Sequence, residues 1–223
     1  MVVELVGPAG AGKSTLAQNV HRADARVHVG FSLWGLPRTR LVRGALALVP
    51  TIVVAAVRKR RLRWREIAHM IRLDALRRVL GRAKSRARGG GQQRIILLDE
   101  GPVFGISWLD LAFAQRGVKA PEKWRRRALA KWARLLDSVI FLDAQDRTLA
   151  GRIRTRSKRH RMAQGSDVAI RRFANGFRSA FDKVIAELGG SGRLIVDQVR
   201  TDGRLEHSTQ RLRAKLARHR NGH

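Results

Sequence analysis

Three groups of residues have the types and spacing that chemistry requires. The first is Gly7-Pro8-Ala9-Gly10-Ala11-Gly12-Lys13-Ser14-Thr15, which satisfies G-x-x-x-x-G-K-[ST] with an extra glycine inside the loop. A polyphosphate is wrapped by successive backbone N–H groups, so the loop needs small residues that tolerate unusual backbone angles. Gly7, Ala9, Gly10, Ala11 and Gly12 supply them. Lys13 has the reach for the β- and γ-phosphates, and the Ser14 hydroxyl suits Mg²⁺. The second group is Asp99-Glu100, a carboxylate pair after an apolar run. Asp99 is the expected second holder of Mg²⁺, and Glu100 the residue that orients or deprotonates a nucleophile. The third is an arginine cluster, Arg147, Arg152, Arg154, Arg156 and Arg161, with Lys158 and Arg159 among them. Transfer of a phosphoryl group spreads negative charge over its oxygens, and cations on a lid can meet that charge while excluding water.

These groups need elements to position them. Val2 to Val6 reads as a strand buried on both faces, followed by the loop and a helix from about Lys13 to Val20. That helix turns its partly positive N-terminus toward the bound phosphates. Further strands are expected over Arg26 to Phe31, Arg94 to Glu100, Ser138 to Asp143 and Arg193 to Asp197. The third places Asp99 at its carboxyl end, near the loop. Strand and helix in alternation predict an α/β fold of three layers: a five-stranded parallel sheet with helices on both faces. The whole chain, residues 1–223, is expected to form one domain, with a helical insertion at about 40–88 and a lid at about 152–166.

Several segments are ambiguous. The loop from Ser32 to Thr39 offers Trp34 and Arg38 as contacts for a second substrate, or as core and solvated surface. Leu41 to Val57 is apolar but interrupted by Arg43 and Pro50, too short for a span of about 20 apolar residues. Pro50 is expected to kink or split it into two helices. The basic run Arg58 to Arg65 follows, then a helix over Leu62 to Leu80 and a basic, Gly-rich linker from Ala83 to Gly91. An apolar hairpin beside cations suits either an anionic membrane surface or a buried helical subdomain with a solvated basic face. Val103 to Gln115 is expected to be helical, with Phe104 and Trp108 as core or as platforms for a substrate ring. Pro121 suits the first position of a helix whose Arg125, Arg126 and Arg127 read as a solvated face. Ser166 is expected to cap a helix bearing the stripe Ile170, Phe173, Phe177, Phe181, Val184 and Leu188. A last basic helix is expected over Gly203 to Arg218, with Asn221 to His223 frayed.

The 223 residues carry a net charge of +30 and no cysteine, which excludes disulfides, thiol nucleophiles and zinc–thiolate sites. The excess charge suits anionic substrates, a nucleic-acid or anionic-membrane partner, or a generally Arg-rich surface. The first strand begins at once, with no basic and apolar leader before it, so a cytoplasmic setting is expected.

Gly7 to Thr15 resembles the P-loop NTPase superfamily. Taken with Leu98-Asp99-Glu100, Val139 to Asp143, and Leu149-Ala150-Gly151-Arg152-Ile153-Arg154-Thr155-Arg156, the chain resembles nucleoside and nucleotide kinases, most nearly the thymidylate-kinase-like group. That resemblance implies ATP with Mg²⁺, and transfer of the γ-phosphate to a small acceptor such as a nucleoside or nucleotide. It implies Arg152 over the ATP base, Arg154 or Arg156 on the transferred phosphate, and the loop from Asp197 to Thr201 beside the adenine. Glu100 stands where thymidylate kinases carry Arg, and Phe31-Ser32-Leu33 where deoxynucleoside kinases carry Glu, so the acceptor stays open. An ATPase using Glu100 to activate water is a rival, although no Leu-Ser-Gly-Gly-Gln signature is present. A kinase-like protein acting on nucleic-acid 5′ ends is another.

Overall fold

The computed structural model describes residues 1–57, 62–88, 94–156, 160–190 and 192–221. The elements run β1 (Val2–Val6), α1 (Lys13–Ala23), β2 (Val27–Phe31), α2 (Arg38–Val57), α3 (Trp64–Arg88), β3 (Ile95–Leu98), α4 (Pro102–Ala114), α5 (Glu122–Ala133), β4 (Ser138–Asp143), α6 (Asp146–Thr155), α7 (Asp167–Gly189), β5 (Ile195–Arg200) and α8 (Leu205–Asn221). The strands form one parallel sheet in the order β2-β3-β1-β4-β5. β1 and β3 are buried along their whole length, as strands covered on both faces must be.

Side chains alternate across β1. Val2 and Val6 pack with α3, α4, α5 and α7 on one face, while Val3 and Leu5 pack with α1 and α8 on the other. The predicted three layers are therefore present. α2 and α3 lie between β2 and β3 in the chain and join the first of these clusters. Ser166 caps α7 as expected, its hydroxyl accepting from the Ala169 N–H at 3.2 Å.

The sequence expectations need five corrections. Pro50 does not split its segment: α2 is one helix across it. Proline deletes one N–H, and the partner lost is the carbonyl of Leu46, an exposed residue beside which water can take the donor's place. α3 runs on to Arg88, so most of the expected linker is helical, and Pro121 is an N-cap rather than the first helical residue. Arg125 is not solvated. It is buried and clamped between Asp110, at 2.7 Å, and Glu187. Finally, β5 extends to Arg200, so Asp197 lies inside a strand and not in a loop by the site. There it binds His219 Nε2 at 2.6 Å and the Lys215 ammonium, while His219 Nδ1 meets Ser138 Oγ at 3.0 Å, tethering α8 to the sheet. Parts of the basic run (58–61), the linker (89–93), the lid (157–159, with Lys158 and Arg159) and the chain end (222–223) lie outside the described residues.

Candidate active site

The loop between β1 and α1 sits at the carboxyl ends of the central strands, where ligands meet open α/β sheets. Gly7 has φ +154°, and a Cβ there would stand 2.1 Å from the Leu142 carbonyl oxygen of β4. The loop can approach the sheet that closely only without a side chain. Gly12 takes the left-handed conformation (φ 82°) that turns the chain into α1. The Lys13 ammonium folds back over the loop, donating to the carbonyls of Gly7 at 2.7 Å and Pro8 at 3.2 Å. Burial pushes its pKa down, and the carboxylates of Asp99 and Glu100 pull against that shift.

β3 lies beside β1, and this adjacency brings the second group to the first. Ser14 Oγ donates to Asp99 Oδ2 at 2.5 Å. The other oxygen, Asp99 Oδ1, is buried with no hydrogen-bond partner among the described residues. A hydroxyl and a carboxylate in contact, with one buried oxygen left to be satisfied, fit a hard divalent cation such as Mg²⁺.

A residue the sequence reading passed over supports this corner. Glu4, in the middle of β1, is fully buried, and its carboxylate accepts from the backbone N–H groups of Gly101 (3.1 Å), Val103 (2.8 Å) and Phe104 (2.9 Å). It thereby satisfies the free donors at the start of α4 and fixes the turn that carries Asp99 and Glu100. Desolvation raises its pKa to about 7, despite the three donors that favour the charged form. The signal in the sequence is a lone carboxylate inside an otherwise apolar strand.

From the loop opens a cavity of about 690 Å³. Gly7, Ala9 to Thr15, Asp99 and Glu100 line one part of it, and the aromatic rings of Phe104, Trp108, Phe173 and Phe177 line another. Arg152, Arg156, His160 and Arg161 also line it. The arginine cluster therefore divides. Arg152 donates to the carbonyls of Gly10 (3.3 Å) and Thr201 (2.6 Å), joining the loop between β1 and α1 to the turn after β5. Arg161 lies over the Phe173 ring at 4.9 Å, and His160 meets the same ring edge-on. Arg154 turns away and pairs with Asp167 at 2.5 Å, so of the two candidates for the transferred phosphate only Arg156 lines the cavity. Helix α6 ends at Thr155, and the chain leaves it at Arg156 in extended conformation, which separates residues two apart in sequence.

Trp34 is not a cavity residue. It is 55% exposed, with the Arg72 guanidinium 4.6 Å over its ring. It touches His69 edge-on, and His69 stacks on Trp108 at 4.4 Å, so two rings separate Trp34 from the cavity. Arg38 begins α2. Phe173 and Phe177 read as core in the sequence, and periodicity alone does not tell a cavity wall from a packed interior.

No protein-family model matches the sequence, and no curated protein matches it significantly. Solved structures do match. One is a deoxyadenosine kinase from M. mycoides, determined with the products dCMP and a flexible dCDP bound. It shares 14% identity with this chain over 97% of this chain and 99% of its own length, with a TM-score of 0.56. The likeness is one of fold, to a P-loop nucleoside kinase, and lends no weight to the thymidylate-kinase-like group in particular.

Proposed function

We propose that this protein is a phosphotransferase that moves the γ-phosphoryl group of ATP to a small ring-bearing acceptor of the nucleoside or nucleotide class. The observation that carries the reading is the Ser14–Asp99 contact at the mouth of the loop, facing a cavity that continues to an aromatic wall. Gly7, Ala9, Gly10, Ala11, Gly12 and Thr15 cradle the triphosphate with backbone N–H groups. Lys13 binds the β- and γ-phosphates, and Arg152 closes over the donor from the turn at Thr201. Ser14 and Asp99 would hold Mg²⁺, which would supply positive charge to offset the negative charge of the phosphates.

The acceptor ring stacks on Phe104, Trp108, Phe173 and Phe177. Its hydroxyl or phosphate oxygen forms the new bond to the γ-phosphorus as the bond to the β,γ-bridging oxygen breaks and ADP leaves. Glu100 takes the proton where the nucleophile is a hydroxyl, and Arg156 meets the charge on the transferred group. An ATPase needs space for water alone, and the ring-lined cavity favours the kinase over that reading.

Labelled ATP with Mg²⁺ should be tested against deoxynucleosides, nucleosides, nucleoside monophosphates and 5′-hydroxyl oligonucleotides. Turnover is expected to rise steeply with one small acceptor, and Lys13→Ala should abolish it while the circular dichroism spectrum stays unchanged. Hydrolysis at an equal rate without any acceptor would assign an ATPase instead. Oligonucleotide phosphorylation with steep salt dependence would assign a nucleic-acid enzyme.

A further inference from the structure

Helix α2 is apolar on its inner and outer sides. Inward, Leu48 is buried in the core, and Ala45 and Ile52 pack against the same cluster. Outward, Val42, Leu46, Val49 and Val53 recur at intervals of four, three and four residues, which places them along one stripe of the helix. Each is 49% to 67% exposed, and Val54 beside them is 48% exposed. The stripe is about 16 Å long at 1.5 Å per residue. From Gly44 to Val57 the sequence has no charged residue. Scattered exposed apolar residues are ordinary, but a continuous row of them marks an interaction surface.

What covers the row is decided by charge. At the start of α3, the helix packed against α2, Trp64 is 74% exposed between exposed Arg63 and Arg65. The whole chain carries +30. A second copy laid on this stripe would bring arginines against arginines. An anionic bilayer accepts both features together: apolar side chains below the headgroups, and arginines and tryptophan among them. No helix among the described residues is long and apolar enough to cross a membrane, so the contact is one of lying on the surface.

We propose that α2 seats the protein on anionic membrane surfaces, with Val42, Leu46, Val49 and Val53 inserted and Arg63, Trp64 and Arg65 at headgroup level. This does not rest on the kinase reading. The full chain should be sedimented with phosphatidylcholine vesicles containing about one third phosphatidylglycerol, and with pure phosphatidylcholine vesicles. Binding is expected to the first, at least about tenfold weaker to the second, and weakened again in roughly 0.5 M salt.

The variant L46Q/V49Q/V53Q should lose at least about tenfold in vesicle affinity, with its melting temperature and ATP binding kept. R63Q/R65Q should weaken binding to the anionic vesicles alone. Failure of the wild-type chain to bind anionic vesicles, or unchanged binding by the glutamine triple variant, overturns the proposal. So does a wild-type dimer in analytical ultracentrifugation that the triple variant breaks while vesicle binding stays unchanged.

Discussion

Ser14 and Asp99, 85 positions apart in sequence, meet at 2.5 Å where α1 begins and β3 ends. The pair is the first place to test. Asp99→Asn removes the charge while keeping the shape, and Ser14→Ala removes the hydroxyl. Under the proposed function, Asp99→Asn should lower kcat about a hundredfold or more, and Ser14→Ala should raise the Mg²⁺ concentration needed for half-maximal rate. A Mg²⁺ titration of initial rates separates the two effects. Equal titration curves for wild type and both variants would remove the metal assignment.

Arg152 and Arg156 should fail in different ways. Arg152 is bonded to the loop and to Thr201, so Arg152→Ala should mainly weaken ATP binding and raise KM. Arg156 lines the cavity without such hydrogen bonds among the described residues, so Arg156→Ala should lower kcat about a hundredfold with a smaller change in ATP affinity. Steady-state kinetics with ATP and acceptor varied in turn distinguish the two. An unchanged kcat in Arg156→Ala removes that residue from the mechanism.

Glu4 makes a prediction about pH and stability. Its pKa is raised from 4.5 to about 7 in the folded protein, chiefly by burial. Between those values the folded chain keeps a proton that the unfolded chain has released. Stability contributed by this group is therefore present at pH 4.5 and lost as pH rises through 7. At 1.36 kcal/mol per pKa unit the loss is at most about 3 kcal/mol. Urea denaturation of Mg²⁺-free protein at intervals from pH 4.5 to 8 should show this decline in wild type and a flatter profile in Glu4→Gln. Parallel profiles would contradict the assignment.

Arg125 bears on stability alone. Arg125→Leu leaves Asp110 and Glu187 facing each other without their shared cation. Removing one partner of a largely buried ion cluster costs about 3 kcal/mol, discounted somewhat here because Glu187 is partly exposed. Thermal denaturation should show a melting temperature several degrees lower, with ATP binding retained at low temperature. A melting temperature equal to wild type would mean the carboxylates rehydrate at no cost.

What could be read from the sequence alone was local. The loop from Gly7 to Thr15 is one continuous segment whose glycines, lysine and hydroxyl would, under the proposed function, serve a single ligand, so its pattern is written in consecutive residues. The buried strands β1, β3 and β4 and the stripe of α7 follow from short-range patterning in the same way. The tertiary structure decided whatever depends on what lies across a gap. The strand order sets β3 beside β1, which puts Asp99 on Ser14 and Glu4 under the start of α4. The extended exit from α6 at Arg156 carries that side chain to the cavity, while Arg154, inside the helix, pairs with Asp167. The distant carboxylates of Asp110 and Glu187 draw Arg125 out of water, and the three-residue shift of β5's end takes Asp197 away from the site. In each case the side chain's own type permits two environments, and only the partner brought up by the fold makes one of them lower in free energy.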